Sequence, residues 1–126
     1  MKYFIILFFL TCSICVNAQN GKIKKISPKK LERKIKKDIQ LVDVRSEKEF
    51  DQNCVSKAIN INIEDSTFTK KIELLDKKKP VYVYCRSGKR SDKAAQKMKA
   101  LGFSKIYDLK GGVLAWEENK NTKAKK

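Results

Sequence analysis

The sequence predicts a single α/β domain, a mostly parallel five-stranded sheet with helices on both faces. Three observations carry this expectation. Strand-like runs alternate with segments of helical period along the chain, the pattern of strands joined by crossover helices. The run Val81-Tyr82-Val83-Tyr84 is β-branched or aromatic at every position, as suits a central, buried strand. Serine, proline and glycine stand at the joints between the runs, where helices start and stop.

Each element follows in order. Gly21 to Ile26 can pair as an edge strand. Ser27-Pro28 opens a helix, serine suited to the cap and proline to the first turn. Leu31, Ile35 and Ile39 continue it at helical spacing. Gln40 to Val44 reads as a buried strand, and Ser46-Glu47-Lys48-Glu49 has capping-box spacing for a short helix. Ala58 to Ile63 reads as a strand with apolar residues alternating at Ile59, Ile61 and Ile63. Phe68, Ile72 and Leu75 mark another helix, and Val81 to Tyr84 is the strand that ends at Cys85. A polar loop from Arg86 to Arg90 leads into a helix with Ala94, Ala95, Met98 and Leu101 on one face, stopped at Gly102. Ser104 to Leu109 is the last strand, Gly111-Gly112 a turn, and Val113 to Trp116 the start of a closing helix. From Glu117 to Lys126 a charged, frayed tail is expected.

The 126 residues amount to one small domain preceded by a leader. Met1-Lys2 is a basic start, Tyr3 to Leu10 an apolar run, and Val16-Asn17-Ala18 a small-residue cleavage site. These are the parts of a secretory signal peptide. A retained anchor is the alternative, but the apolar run is short for a bilayer. Lipoprotein processing at Cys12 or Cys15 is another, though Thr11 and Ile14 are not the small residues it needs. The expected division is a leader over 1–18, a domain over 19–118 and a charged tail over 119–126. The mature protein is expected to be exported to the periplasm, with no stable membrane insertion after cleavage.

Thirty Lys and Arg against 14 acidic residues give a formal net charge of +16. Such a field concentrates anions near the surface. The basic residues are spread along the whole chain, so most read as solvated surface. Export and the absence of a recognition motif argue against nucleic acid as a partner. Two of the four cysteines leave with the leader, and Cys54 and Cys85 remain. Two are too few for a disulfide scaffold or a structural zinc site. With no histidine in the chain, imidazole-assisted nucleophiles and the common imidazole metal sites are excluded. No metal and no cofactor is expected.

Chemistry is expected at Cys85. A strand ending in cysteine, followed by a glycine-containing loop and a helix, puts the sulfur over a helix N-terminus. Free backbone N–H groups and the helix dipole stabilise an anion there and lower the thiol pKa. Arg86, Lys89 and Arg90 add positive charge. Lysine supplies 26 of the 30 basic residues, yet two of the four arginines fall between Cys85 and Arg90, and a third, Arg45, ends another central strand. Arginine offers a planar fork for oxyanions that lysine lacks. The competing reading is a buried structural cysteine flanked by surface arginines, against which the polar and glycine neighbours argue.

Leu41-Val42-Asp43-Val44-Arg45, then Glu49-Phe50, then Ala58-Ile59-Asn60-Ile61 resembles the first signature of rhodanese domains. Cys85-Arg86-Ser87-Gly88-Lys89-Arg90-Ser91 resembles their active-site loop, and Leu109-Lys110-Gly111-Gly112-Val113-Leu114-Ala115-Trp116 their closing motif. The resemblance spans roughly Ile23 to Glu118. It implies the rhodanese-like fold and sulfurtransferase chemistry: a Cys85 thiolate takes sulfane sulfur from a small anionic donor such as thiosulfate. The resulting persulfide passes it to a thiol, cyanide or a protein cysteine. It further implies that Arg86, Ser87, Gly88, Lys89 and Arg90 bind substrate, with backbone N–H groups around the persulfide and Arg86 and Arg90 on the donor. Asp43 and Arg45 would form a supporting ion pair. The same resemblance allows a non-enzymatic persulfide carrier or a thiol-redox or interaction module of the cell envelope. Ser87 stands where some thiosulfate-preferring members carry lysine. Cys54 precedes its strand whereas Cys85 follows one, so a parallel sheet would place them at opposite ends. A phosphatase of similar fold would need five residues between cysteine and arginine, and only four separate Cys85 from Arg90.

Overall fold

The computed structural model describes residues 21–125, and the leader expected over 1–18 lies outside them. Five parallel strands form one sheet: β1 (Lys22–Ile26), β2 (Gln40–Asp43), β3 (Ile59–Asn60), β4 (Val81–Tyr84) and β5 (Lys105–Leu109). Their spatial order is β1-β5-β4-β2-β3, which puts β4 at the centre and leaves β1 and β3 at the edges. The helices are α1 (Pro28–Lys34), α2 (Glu47–Gln52), α3 (Phe68–Ile72), α4 (Lys89–Ala100) and α5 (Gly112–Ala124). The expected α/β architecture is the one observed, with helices on both faces. No helix among the described residues is long and apolar enough to cross a membrane.

Side-chain alternation along β4 divides the core. Val81, Val83 and Cys85 pack with Ala94, Ala95 and Met98 of α4 and with Phe68 and Ile72 of α3. Tyr82 and Tyr84 point the other way, into a cluster with Leu31 of α1 and with Val113 and Trp116 of α5. Both layers are buried, so β4 is covered on each face and needs apolar residues at every position. That is why its sequence is the most strand-like in the chain.

The caps follow the sequence. The Ser27 hydroxyl accepts from the Lys30 N–H with Pro28 in the first turn of α1. The Ser46 hydroxyl accepts from the Glu49 N–H at 3.3 Å and donates to the Glu49 carboxylate at 3.1 Å. Replacing either serine removes the partner of an otherwise orphaned helix N–H, worth about 1 kcal/mol.

Two elements differ from expectation. The strand expected over 58–63 is regular only at Ile59–Asn60. The chain then leaves the ladder but keeps contact with β2, as the Ile61 and Ile63 N–H groups donate to the carbonyls of Asp43 and Val44. Ile61 and Ile63 are buried, whereas Ile59 at the sheet edge is 47% exposed. The Asn60 amide, donating to the carbonyls of Asp43 and Arg45, fills the gap that irregular pairing leaves. The second correction concerns the tail: α5 runs on through Glu117 to Ala124 instead of fraying. No glycine or proline interrupts that stretch. Lys123 pairs with Glu32 of α1, and the Thr122 hydroxyl donates to the Glu118 carbonyl, which ties the last turns down.

Candidate active site

Cys85 leaves the C-terminal end of β4, the place where open α/β sheets bind ligands. Its residue is only 1% exposed. The Gly88 N–H donates to its sulfur at 3.1 Å, and the Ser91 hydroxyl lies 3.4 Å from the sulfur on the first turn of α4. That hydroxyl also reaches the Gly88 carbonyl at 3.2 Å, closing a short ring of contacts under the loop. Gly88, the cap residue of α4, has φ +122°, a conformation an L side chain rarely adopts. Glycine is therefore what lets the chain turn sharply enough to aim its N–H at the sulfur.

Burial pushes the Cys85 thiol up, because a thiolate loses solvation. Hydrogen bonds from the Ser91 hydroxyl and from the N–H groups of Ser91, Gly88 and Ser87 outweigh it. The thiol is held below its ordinary value, so thiolate forms at lower pH than in a free cysteine. Ser91→Ala removes the largest of these stabilising contacts. The expected result is an upward shift of the thiolate titration, since a hydrogen bond to a charged group is worth ~1.5–3 kcal/mol. Ultraviolet absorbance of the thiolate across a pH series checks it, and an unmoved midpoint would give the whole effect to the backbone.

The other predicted loop residues divide into two sets. Arg86, Ser87 and Lys89 are exposed around the mouth of the loop. Arg90 is half-buried, and its guanidinium makes a two-pronged contact with Glu49 of α2, at 2.7 and 2.8 Å. The fork geometry binds α4 to α2 across 41 residues of sequence. The Arg90 guanidinium holds the Glu49 carboxyl down at about 2, with the Ser46 hydroxyl contributing, while burial opposes it. A carboxyl whose folded pKa lies below its ordinary 4.5 stabilises the fold above that value and loses the contribution as pH falls toward 2. Both side chains keep 30% of their surface in solvent, so the pair is worth about 1 kcal/mol after screening. Glu49→Gln is therefore expected to lower the urea midpoint at neutral pH, with the gap to wild type closing between pH 4.5 and about 2. A gap that does not change with pH would assign the loss to packing.

Asp43 and Arg45 are brought together as expected, and more deeply. Arg45 Nη2 lies 2.7 Å from the Asp43 carboxylate, with side chains 3% and 0% exposed. Arg45 Nε and its backbone N–H donate to the same carboxylate at 3.0 and 2.9 Å. The remaining guanidinium donors reach the Asn53 carbonyl at 2.6 Å and the Asn53 side chain at 3.2 Å, and the group lies 5.8 Å from the centre of the Tyr84 ring. The Tyr84 hydroxyl accepts from the Val55 N–H at 3.0 Å. This network joins the ends of β2 and β4 to the segment after α2, and so sets where Glu49 stands. Losing one partner would strand a buried charge, a cost of about 3–5 kcal/mol.

Cys54 is exposed and free, and Cys85 is free. Among the described residues no cluster of metal-ligating groups occurs.

Three contributors escaped sequence reasoning. Ser91 was legible only as the end of the loop, and Glu49 only as half of a capping box and part of the first signature, without its partner Arg90. The third is the start of α5: the Val113 N–H donates to the Cys85 carbonyl at 2.8 Å and the Leu114 N–H to the Arg86 carbonyl at 3.2 Å. Orphan amides at one helix N-terminus thus hold the backbone of the residue that ends β4. A glycine pair had signalled a turn there, without showing what the turn touches.

Comparison with known proteins places the chain among relatives of the same fold. A family model for the rhodanese-like domain matches residues 27–119. The chain is similar to a putative sulfurtransferase, YtwF, of Bacillus subtilis, 37% identical over 97 residues covering 75% of this chain and 91% of that protein. It is 32% identical over 87 residues to the thiosulfate sulfurtransferase GlpE of Coxiella burnetii, covering 69% of this chain and 79% of that one. Among solved structures, a rhodanese-related protein from Thermoplasma volcanium superposes with TM-score 0.67 at 31% identity, covering 76% and 92% of the two chains.

Proposed function

The chain belongs to the rhodanese-like family of sulfurtransferases, and from that premise we propose that Cys85 carries sulfane sulfur as a persulfide between an anionic donor and a thiophilic acceptor. The observation that carries this reading is the Gly88 N–H at 3.1 Å from a sulfur whose thiol is held below its ordinary value. In the first half-reaction the thiolate attacks the outer sulfur of a donor such as thiosulfate. A Cys85 S–S bond forms, the donor's S–S bond breaks, and sulfite leaves with the electron pair. In the second, a thiol, cyanide or protein cysteine attacks the outer sulfur and Cys85 leaves as thiolate.

The loop amides that favour the thiolate also favour the anionic persulfide, as donors preorganised around a developing charge do. Arg86 and Lys89, exposed on the loop that follows the sulfur, would meet an anionic donor. Arg90 keeps the loop on α2 through Glu49 and adds its charge at one remove. With so little of Cys85 reaching solvent, donor and acceptor approach through the loop of residues 86–90.

Intact-mass spectrometry after incubation with thiosulfate tests the reading. A gain of about 32 Da, removed by cyanide and mapped to the peptide bearing Cys85, is the expected result. No gain with thiosulfate or any other sulfane donor would leave the site without its proposed chemistry.

A further inference from the structure

Away from the Cys85 loop, a cavity of about 490 Å³ opens between β1, β5 and α1. Its volume falls in the range of small-molecule sites. Six cationic residues line it and, among the described residues, no acidic one does. Lys24 and Lys25 come from β1, Lys30, Arg33 and Lys34 from α1, and Lys37 from the turn that follows α1. The apolar part of the lining is Ile26 and the Tyr107 ring, itself stacked on Tyr82 with centroids 5.0 Å apart.

The spacing 30, 33, 34, 37 places four of these cations on one flank of α1 and its extension, a row about 10 Å long. Like charges so close repel one another, and local acids do little to relieve them. Lys25 is neutralised by Asp108 at 2.6 Å. Glu32, the one carboxylate within α1, is not among the lining residues and pairs with Lys123 of α5. Five cations lining one concave space are left without a carboxylate partner among the described residues. A flat basic surface would suit a membrane or a nucleic-acid backbone. A concave one with this charge suits a short, multiply charged anion, and a mono- or dianion would leave most of the charge unmatched.

We infer that this cavity binds a small linear polyphosphate-class ligand, with Lys24, Lys30, Arg33, Lys34 and Lys37 on its phosphates and Tyr107 at its floor. The site shares no residue with the Cys85 loop, so it is independent of the sulfur chemistry.

Calorimetric titration of the intact protein with inorganic triphosphate at physiological salt, beside sulfate at the same concentration, tests it. The expected result is saturable one-to-one binding of triphosphate and none of sulfate. Arg33→Glu with Lys34→Glu should weaken binding at least tenfold. Lys70→Glu with Lys93→Glu, which changes net charge equally on exposed positions elsewhere, should leave it within twofold. Amide NMR shifts on triphosphate addition should centre on residues 24–37 and Tyr107. Equal weakening by the two double variants would overturn the inference and leave only a net-charge effect. Binding of anionic vesicles or a single-stranded oligonucleotide in preference to triphosphate, or no binding at physiological salt, would also overturn it.

Discussion

Cys85→Ser is expected to abolish persulfide formation and to lower sulfur transfer by at least about four orders of magnitude, loss of a covalent nucleophile costing up to about 10⁶-fold. The substitution is nearly isosteric, and its effect is chemical. A serine hydroxyl has no comparable anion at neutral pH, and an alkoxide is not a sulfur carrier. The fold should barely register the change. The Gly88 N–H and the Ser91 hydroxyl that now face the sulfur would face an oxygen able to bond with both. The thermal midpoint is expected to move by an amount corresponding to less than about 1 kcal/mol. Cys54→Ser serves as the companion, because Cys54 is the other thiol among the described residues and lies exposed outside the loop. It should keep full transfer. Steady-state transfer from thiosulfate to cyanide reads both variants, and activity that survives Cys85→Ser but not Cys54→Ser would move the chemistry to the wrong cysteine for this account.

The second large effect is expected at Gly112, which touches no substrate. Its φ is +61°, and a Cβ built there would lie 2.4 Å from the Arg86 carbonyl oxygen, 2.5 Å from its carbon and 2.6 Å from the Cys85 carbonyl oxygen. All three neighbours are backbone, so none can swing aside. Gly112→Ala must therefore push α5 off the loop and stretch the contacts from Val113 and Leu114 to the Cys85 and Arg86 carbonyls. Adding a left-handed alanine, a forced backbone shift and two weakened hydrogen bonds gives a cost of about 3–5 kcal/mol. For a domain of this size that is a fall in thermal midpoint of roughly 10 °C or more. The thiol pKa should rise as well, because the loop amides lose their aim at the sulfur.

Gly88→Ala separates clash from strain. Gly88 also has positive φ, but a Cβ there meets nothing within 4 Å. It should cost about 1–3 kcal/mol of conformational strain, with no added clash. Equal losses at the two glycines, measured by thermal melting, would mean that the contact between α5 and the loop is not what Gly112 protects.

The two effects mark where sequence reading succeeds and where it stops. The strand ending at Cys85, the polar loop and the helix beyond it are contiguous, and local rules place the sulfur at a helix N-terminus. Caps at Ser27 and Ser46 are local too, and both occur as expected. The helical stretch beyond Trp116 escaped notice because it is held by a partner, Lys123 with Glu32, and not by an amphipathic pattern of its own. The short β3 escaped because alternation at Ile59, Ile61 and Ile63 reads as a regular strand, while the actual hydrogen bonds are shared irregularly with the Asp43 and Val44 carbonyls.

By itself, then, the amino-acid order determined the fold class, the run of elements and the placement of Cys85 ahead of a helix N-terminus, since hydrophobic period, caps and turn residues act over a few positions. Only the tertiary structure decided that Arg90 is held by Glu49, that α5 pins the Cys85 carbonyl, and that Tyr107 of β5 joins the basic residues of 24–37 around one cavity. Those depend on which strands become neighbours. The order β1-β5-β4-β2-β3 sets the first strand against the last and brings together groups tens of residues apart. No local propensity encodes such a pairing, because it is selected by how the whole core closes.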